Sequence, residues 1–154
     1  MWKRTVISVV ILLMGVIFVG LWFSSTPKEK FGIYLQRNNE LVIADEDIVW
    51  YNASDHRIKL TLKGAEKISS LRVGVYGEPF IIKIGETEIY EGAFWTPISS
   101  IGFHGIVIEK PMGQTDAIQL QWGYPPSSPS YGDTDPVNDP RIVSYFQKIG
   151  KLIN

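Results

Sequence analysis

The chain has 154 residues, 45% of them apolar and 20% charged, and a formal net charge of −1, which suits one small domain and little else. Of its 15 basic residues, Lys3 and Arg4 precede a hydrophobic run, leaving 13 against 16 acidic ones; that balance offers no basic stripe to nucleic-acid phosphates. The absence of cysteine excludes disulfides, a lipidated N-terminal cysteine, thiol catalysis and cysteine-ligated zinc.

Val6 to Phe23 carries no charge. At ~1.5 Å per residue this run reaches ~27 Å, enough for a bilayer core. Residues 1–25 are therefore expected to form a transmembrane anchor, with a linker over 26–30 and a domain over 31–154. A cleaved signal peptide is the alternative, but cuts after Ser24 or Ser25 place Trp22 or Phe23 at the −3 position. Lys3 and Arg4 favour a cytoplasmic N-terminus, a single pass through the membrane via residues 6–23, and a domain outside the cell membrane.

Beyond the linker, Phe31 to Leu35 alternates as a strand, Asn38-Asn39 signals a turn and Leu41 to Ile43 a return strand. Asp45 to Asp47 suits the start of a helical turn leading to Trp50. Arg57 to Leu62 alternates strictly, with Ile58, Leu60 and Leu62 on one face. Ala65, Ile68 and Leu71 have helical spacing. Phe80 to Ile84 and Thr87 to Tyr90 form a hairpin around Gly85-Glu86, and strands follow at Ile101 to Ile108 and Ala117 to Trp122. Tyr124 to Pro140 reads as a long loop, and Pro140 opens a C-terminal helix with Ile142, Val143, Phe146, Ile149 and Leu152/Ile153 on its apolar face. The expected fold class is α+β: the N-terminal transmembrane helix, then a small, mostly antiparallel sheet with one short helix and the C-terminal helix.

The stretches Leu41-Val-Ile-Ala-Asp-Glu-Asp-Ile48, Ile58-Lys-Leu-Thr-Leu-Lys-Gly-Ala-Glu-Lys-Ile68 and Phe80-Ile-Ile-Lys-Ile-Gly-Glu-Thr-Glu-Ile89 follow one another in order, and Gly105-Ile-Val107 stands near the close. Together, from Leu41 to about Glu109, they resemble the head part of the first extracytoplasmic domain of SecD, the protein-export membrane subunit. The resemblance implies a domain that touches extended or exported polypeptide, or a common fold reused. SecD has further membrane helices whose acidic groups couple export to the proton gradient, whereas the one apolar run here holds no charge.

Candidate chemistry is sparse. His56 and His104 are the only histidines and have no close-spaced metal-type partner. Ser99-Ser100 and Ser127-Ser128 lack the Gly-x-Ser-x-Gly elbow of a serine hydrolase. Asp133, Asp135 and Asp139 form either an acidic turn or a calcium-holding loop over 133–139, without the glycine and glutamate of an EF-hand. Asn52-Ala-Ser54 matches a glycosylation sequon. Two aromatic–proline clusters, around Phe94-Trp95-Thr-Pro97 and around Trp122-Gly-Tyr-Pro125, either form a groove for an extended chain or a sugar, or fill the core beneath the hairpin. Phe94, Trp95 and Trp122 are the candidate binding residues. The sequence thus points to a non-enzymatic binding or accessory domain with a protein or peptide partner and no cofactor or nucleic acid. The rival reading is an anchored or secreted hydrolase or carbohydrate-binding protein.

Overall fold

Alternation of apolar and polar side chains, the signature of a sheet with distinct faces, governs most of this chain. The computed structural model describes residues 29–126 and 135–154. In chain order they form β1 (Phe31–Leu35), β2 (Leu41–Ala44), a 3-10 turn (Asp45–Asp47), β3 (Ile48–Asn52), β4 (Arg57–Leu60), α1 (Leu62–Ser70), β5 (Glu78–Ile84), β6 (Thr87–Trp95), β7 (Phe103–Glu109), β8 (Ala117–Tyr124), α2 (Pro140–Lys148) and β9 (Leu152–Ile153). One nine-stranded sheet runs β2-β1-β5-β6-β7-β8-β4-β3-β9. Its pairings are antiparallel except β6 with β7 and β3 with β9. This corrects the α+β expectation: the architecture is mostly β, and its two nine-residue helices are accessories to the sheet.

The anchor is corrected as well. Among the described residues no helix is long and apolar enough to cross a membrane. The run over 6–23 lies outside the described residues, as do Lys3 and Arg4, on which the single-pass topology and the placing of the domain outside the cell membrane also rested.

The order of the strands forces the sheet to curl. β2 and β3 stand seven places apart, about 34 Å if the sheet were flat. Yet only the turn Asp45–Asp47 joins them, and Ala44 to Ile48 can span at most about 14 Å. The sheet must therefore bend back on itself, which right-handed twist and bulges allow; register shifts occur in β1, β3, β5 and β7. Inside the curl lies the main core, with Ile33, Ile43, Phe80, Ile82, Phe94 and Ile108 at 0% exposure.

α2 bridges the opening. Phe146 sits 5.1 Å from the Phe31 ring of β1 and 4.9 Å from Tyr51 of β3. Tyr145 Oη accepts from Phe31 N at 3.0 Å and donates to Asp45 Oδ2 at 2.5 Å. Burial first, then the hydrogen bond to Asp45, push this phenol's pKa up, so it keeps its proton. The helix ends at Lys148 instead of continuing to Leu152, because Gly150 turns the chain at φ +71 into β9. Lys151 Nζ then donates to the carbonyls of Asp45 and Ile48, at 2.6 and 2.5 Å.

Leu62 needs a further correction. Thr61 ends β4 early: its hydroxyl accepts from Gly64 N at 3.2 Å and caps α1. Ile58 and Leu60 point inward, at 0% and 3% exposure, but Leu62 falls on the helix and is 79% exposed.

Candidate functional site

Most of the polar clusters that the fold assembles are closed structural arrangements. His56, held at φ +55 in the β3–β4 turn and 8% exposed, has both ring nitrogens engaged. Tyr51 Oη lies 2.9 Å from Nδ1, and Asp135 Oδ2 lies 2.7 Å from Nε2. Burial is the main cause that drives the Tyr51 pKa upward, so the phenol keeps its proton. Burial raises the Asp135 carboxyl, but the bonds from His56 and Val137 N outweigh it and hold the group below the usual carboxylate range. The row looks like a proton relay, yet Tyr51 at its end is 0% exposed, so no substrate reaches it. It is a clamp that ties residue 135 to the β3–β4 hairpin. His56 and Asp135 are 79 positions apart, a spacing no motif search could join.

Asp139 is likewise committed. It caps α2 through Arg141 N at 2.8 Å and pairs with the Arg141 guanidinium at 2.6 Å, which lowers its pKa. Tyr90 Oη donates to the Val137 carbonyl and accepts from Asp139 N at 2.8 Å; burial pushes this phenol up to about 12. Asp133, the third member of the expected acidic loop, lies outside the described residues. Among those described, no group of three metal-type side chains comes together. Asn52 Oδ1 accepts from Ser54 N and Oγ, at 2.8 and 2.7 Å.

The three candidate aromatics do not form one surface: Phe94 and Trp95 are buried and Trp122 is half-buried. Phe94 faces the main core at 0% exposure and stacks obliquely on Phe80. Trp95, at 3%, belongs to a second cluster on the outer side of the sheet, with Ala93, Val107, Phe103 and Tyr124. Two loops cover it: Tyr124 Oη donates to the Pro97 carbonyl at 3.0 Å, and Ser99 Oγ donates to the Val75 carbonyl at 2.7 Å. Trp122 packs half-buried against the main core, edge-on to His104 at 5.8 Å. Phe94 thus fills the main core and Trp95 the outer cluster, while Trp122 is half-buried between core and surface.

A different site appears on the outer face of β3, β4, β7 and β8. The register sets Trp50 opposite Lys59, Lys59 opposite Ala117 and Arg57 opposite Gln119. Val107 faces Gln121 and Ile108 faces Leu120; opposite residues share a face, so Glu109 falls beside Gln119. A groove of about 460 Å³ runs across these side chains. Its rim is closed by the ion pair of Lys59 with Asp116, whose carboxyl that lysine holds low. Gln119 Nε2 donates to the Asp55 carbonyl at 2.8 Å. Arg57 is half-exposed and only 3.7 Å from Asp55.

Two polar groups here are left over. Gln121 Nε2 is buried without an acceptor. The Glu109 carboxylate has no hydrogen bond or ion pair among the described residues. A second buried donor without an acceptor, Trp95 Nε1, belongs to the residue that faces Glu109 from β6. Unsatisfied buried polar groups are rare in folded chains and call for an explanation. The alternation Ile118-Gln119-Leu120-Gln121 and Arg57-Ile58-Lys59-Leu60 already marks both outer faces, but nothing local says that these strands adjoin.

No family model, curated protein or solved structure matches the chain. The likeness to the SecD head therefore rests on its quoted residues alone, and the export role it implied has no support.

Proposed function

We propose that the domain is a non-catalytic binding module whose recognition surface is the outer-face groove of β3, β4, β7 and β8. The observation that carries this reading is the juxtaposition of the unpaired Glu109 carboxylate and the acceptor-less Gln121 amide on neighbouring strands of one sheet face, in a groove that Trp50 also lines. By contrast, His56 is held by Tyr51 and Asp135, and Asp47 is paired with Lys67. A groove with a few convergent polar groups is the usual form of a ligand site, and no nucleophile–base pair lines this one. The test is a small-molecule library screened by ligand-observed NMR, with hits mapped on the labelled protein. Hits should map to Arg57, Gln119 and Gln121 and be lost with Glu109→Ala. Turnover of a bound compound, abolished by changing one acidic residue, would reject the non-catalytic reading.

A protein or peptide partner is the second reading. It is favoured by two loops, tied through Ser99 and Val75, that present Tyr76 at 80% and Ile98 at 69% exposure, since clustered exposed apolar side chains mark interaction surfaces. A photo-crosslinker replacing Tyr76 that forms no protein adduct in cells would end it.

A further inference from the structure

The chemistry of the groove narrows its ligand. We infer that it binds a neutral saccharide, an assignment that rests on the groove being the recognition surface.

Charge bears on this first. Lys59 is already paired with Asp116 and Arg57 with Asp55, which leaves the Glu109 carboxylate as the one charge of the groove lining without a counter-charge among the described residues. A lone carboxylate gives a phosphate no net attraction. Hydrogen bonding points the same way. A carboxylate only accepts, a guanidinium only donates, and the Gln121 nitrogen that lacks a partner only donates. A hydroxyl does both, so neighbouring hydroxyls on one ring satisfy Glu109 and one of the donors together. A lone carbonyl or amine satisfies one side only. The half-buried Trp50 ring offers an apolar face to the C–H side of a pyranose. The 460 Å³ of space accommodates about two such rings.

An extended peptide fits less well. Peptides gain affinity by adding a strand at a sheet edge, but β4 lies between β8 and β3, and β8 between β7 and β4. Their backbone groups are taken up in the ladders, and the groove lining is mostly polar, with Trp50, Ala117 and Ile118 its apolar members.

The test is titration of the 15N-labelled full chain with glucose, galactose, N-acetylglucosamine and their 1,4-linked disaccharides, alongside trialanine and inorganic phosphate. Saturable shifts of the Trp50 indole and the Gln121 side-chain amide are expected with at least one saccharide. Glu109→Ala and Trp50→Ala should each weaken that binding about tenfold or more, with the remaining spectrum unchanged. Should Trp50→Ala fail to fold, Glu109→Ala and Gln121→Ala carry the test. Trialanine or phosphate shifting these same resonances while every saccharide leaves them still would overturn the sugar assignment and keep the groove. No response at these residues to any probe, or binding that maps elsewhere, would overturn both.

Discussion

Lys67 sits on α1 with a third of its side chain exposed, and its substitution would pass for a surface change in the sequence. Its partner makes it otherwise. Asp47, at 0% exposure, accepts from Lys67 Nζ at 2.5 Å and from Ala44 N at 2.9 Å, and its Oδ1 has no partner. Replacing Lys67 by Met keeps the stem but leaves a buried carboxylate without its counter-charge. Removing one partner of a buried pair costs about 3–5 kcal/mol. The lower end applies here, because Asp47 keeps the Ala44 N–H and water can approach where the lysine head stood. Asp47→Asn should cost less, since no charge is stranded and Lys67 can turn to solvent. The double variant Asp47→Asn/Lys67→Met should recover part of the loss, giving a coupling above about 1 kcal/mol in the cycle. Urea denaturation of the four proteins, compared at constant m-value, measures this. A loss below about 0.5 kcal/mol for Lys67→Met would show that the pair does not hold the Asp45–Asp47 turn.

Three further outcomes are expected. Leu60→Ala should cost about 2–5 kcal/mol as a cavity in the core, whereas Leu62→Ala, on the exposed side of α1, should stay within about 0.5 kcal/mol; equal losses in a denaturation series would mean the strand runs through Thr61 after all. Gly77→Ala should destabilise by more than about 1 kcal/mol, since φ is +78 and a Cβ would meet the Trp95 ring at 2.4 Å; a gain in Tm would contradict the covered outer cluster. The Asp135 and Asp139 carboxyls are lowered in the folded state. Their contribution is therefore complete above the unfolded carboxylate value of about 3.9 and fades as pH falls below it. Asp135→Asn should flatten that acid limb in urea titrations at stepped pH, and an unchanged slope would contradict the clamp.

Much of the local structure was legible in the sequence, because a two-residue period needs only neighbours to be read. Phe31 to Leu35 and the Gly85-Glu86 hairpin stand where alternation and turn residues place them. Failures came where a distant partner or a capping side chain decides. Thr61 stops β4 by capping α1, a competition that strand alternation cannot register. Ile48–Asn52 reads as the tail of a helical turn until β4 and β9 supply its neighbours. Trp95 reads in sequence as either a groove aromatic or a core one, and the loops over 75–77 and 96–102 decide for burial. The groove was beyond reach for the same reason: Gln119 and Asp55 meet across 64 positions. The N-terminal run, the strongest single signal, lies outside the described residues.

The curl of the sheet has a consequence for how the chain is made. During synthesis β1 to β4 emerge first, but β1 must await β5, β4 must await β8, and β3 must await β9. Until β9 has emerged, β3 keeps an open hydrogen-bonding edge, and the Asp45–Asp47 junction lacks the tyrosine and lysine of residues 145 and 151 that fasten it. Such distant pairings close slowly and leave aggregation-prone edges in the meantime. Folding of this domain is thus completed only once α2 and β9 are available, and nascent fragments ending before α2 are the form most in need of a chaperone.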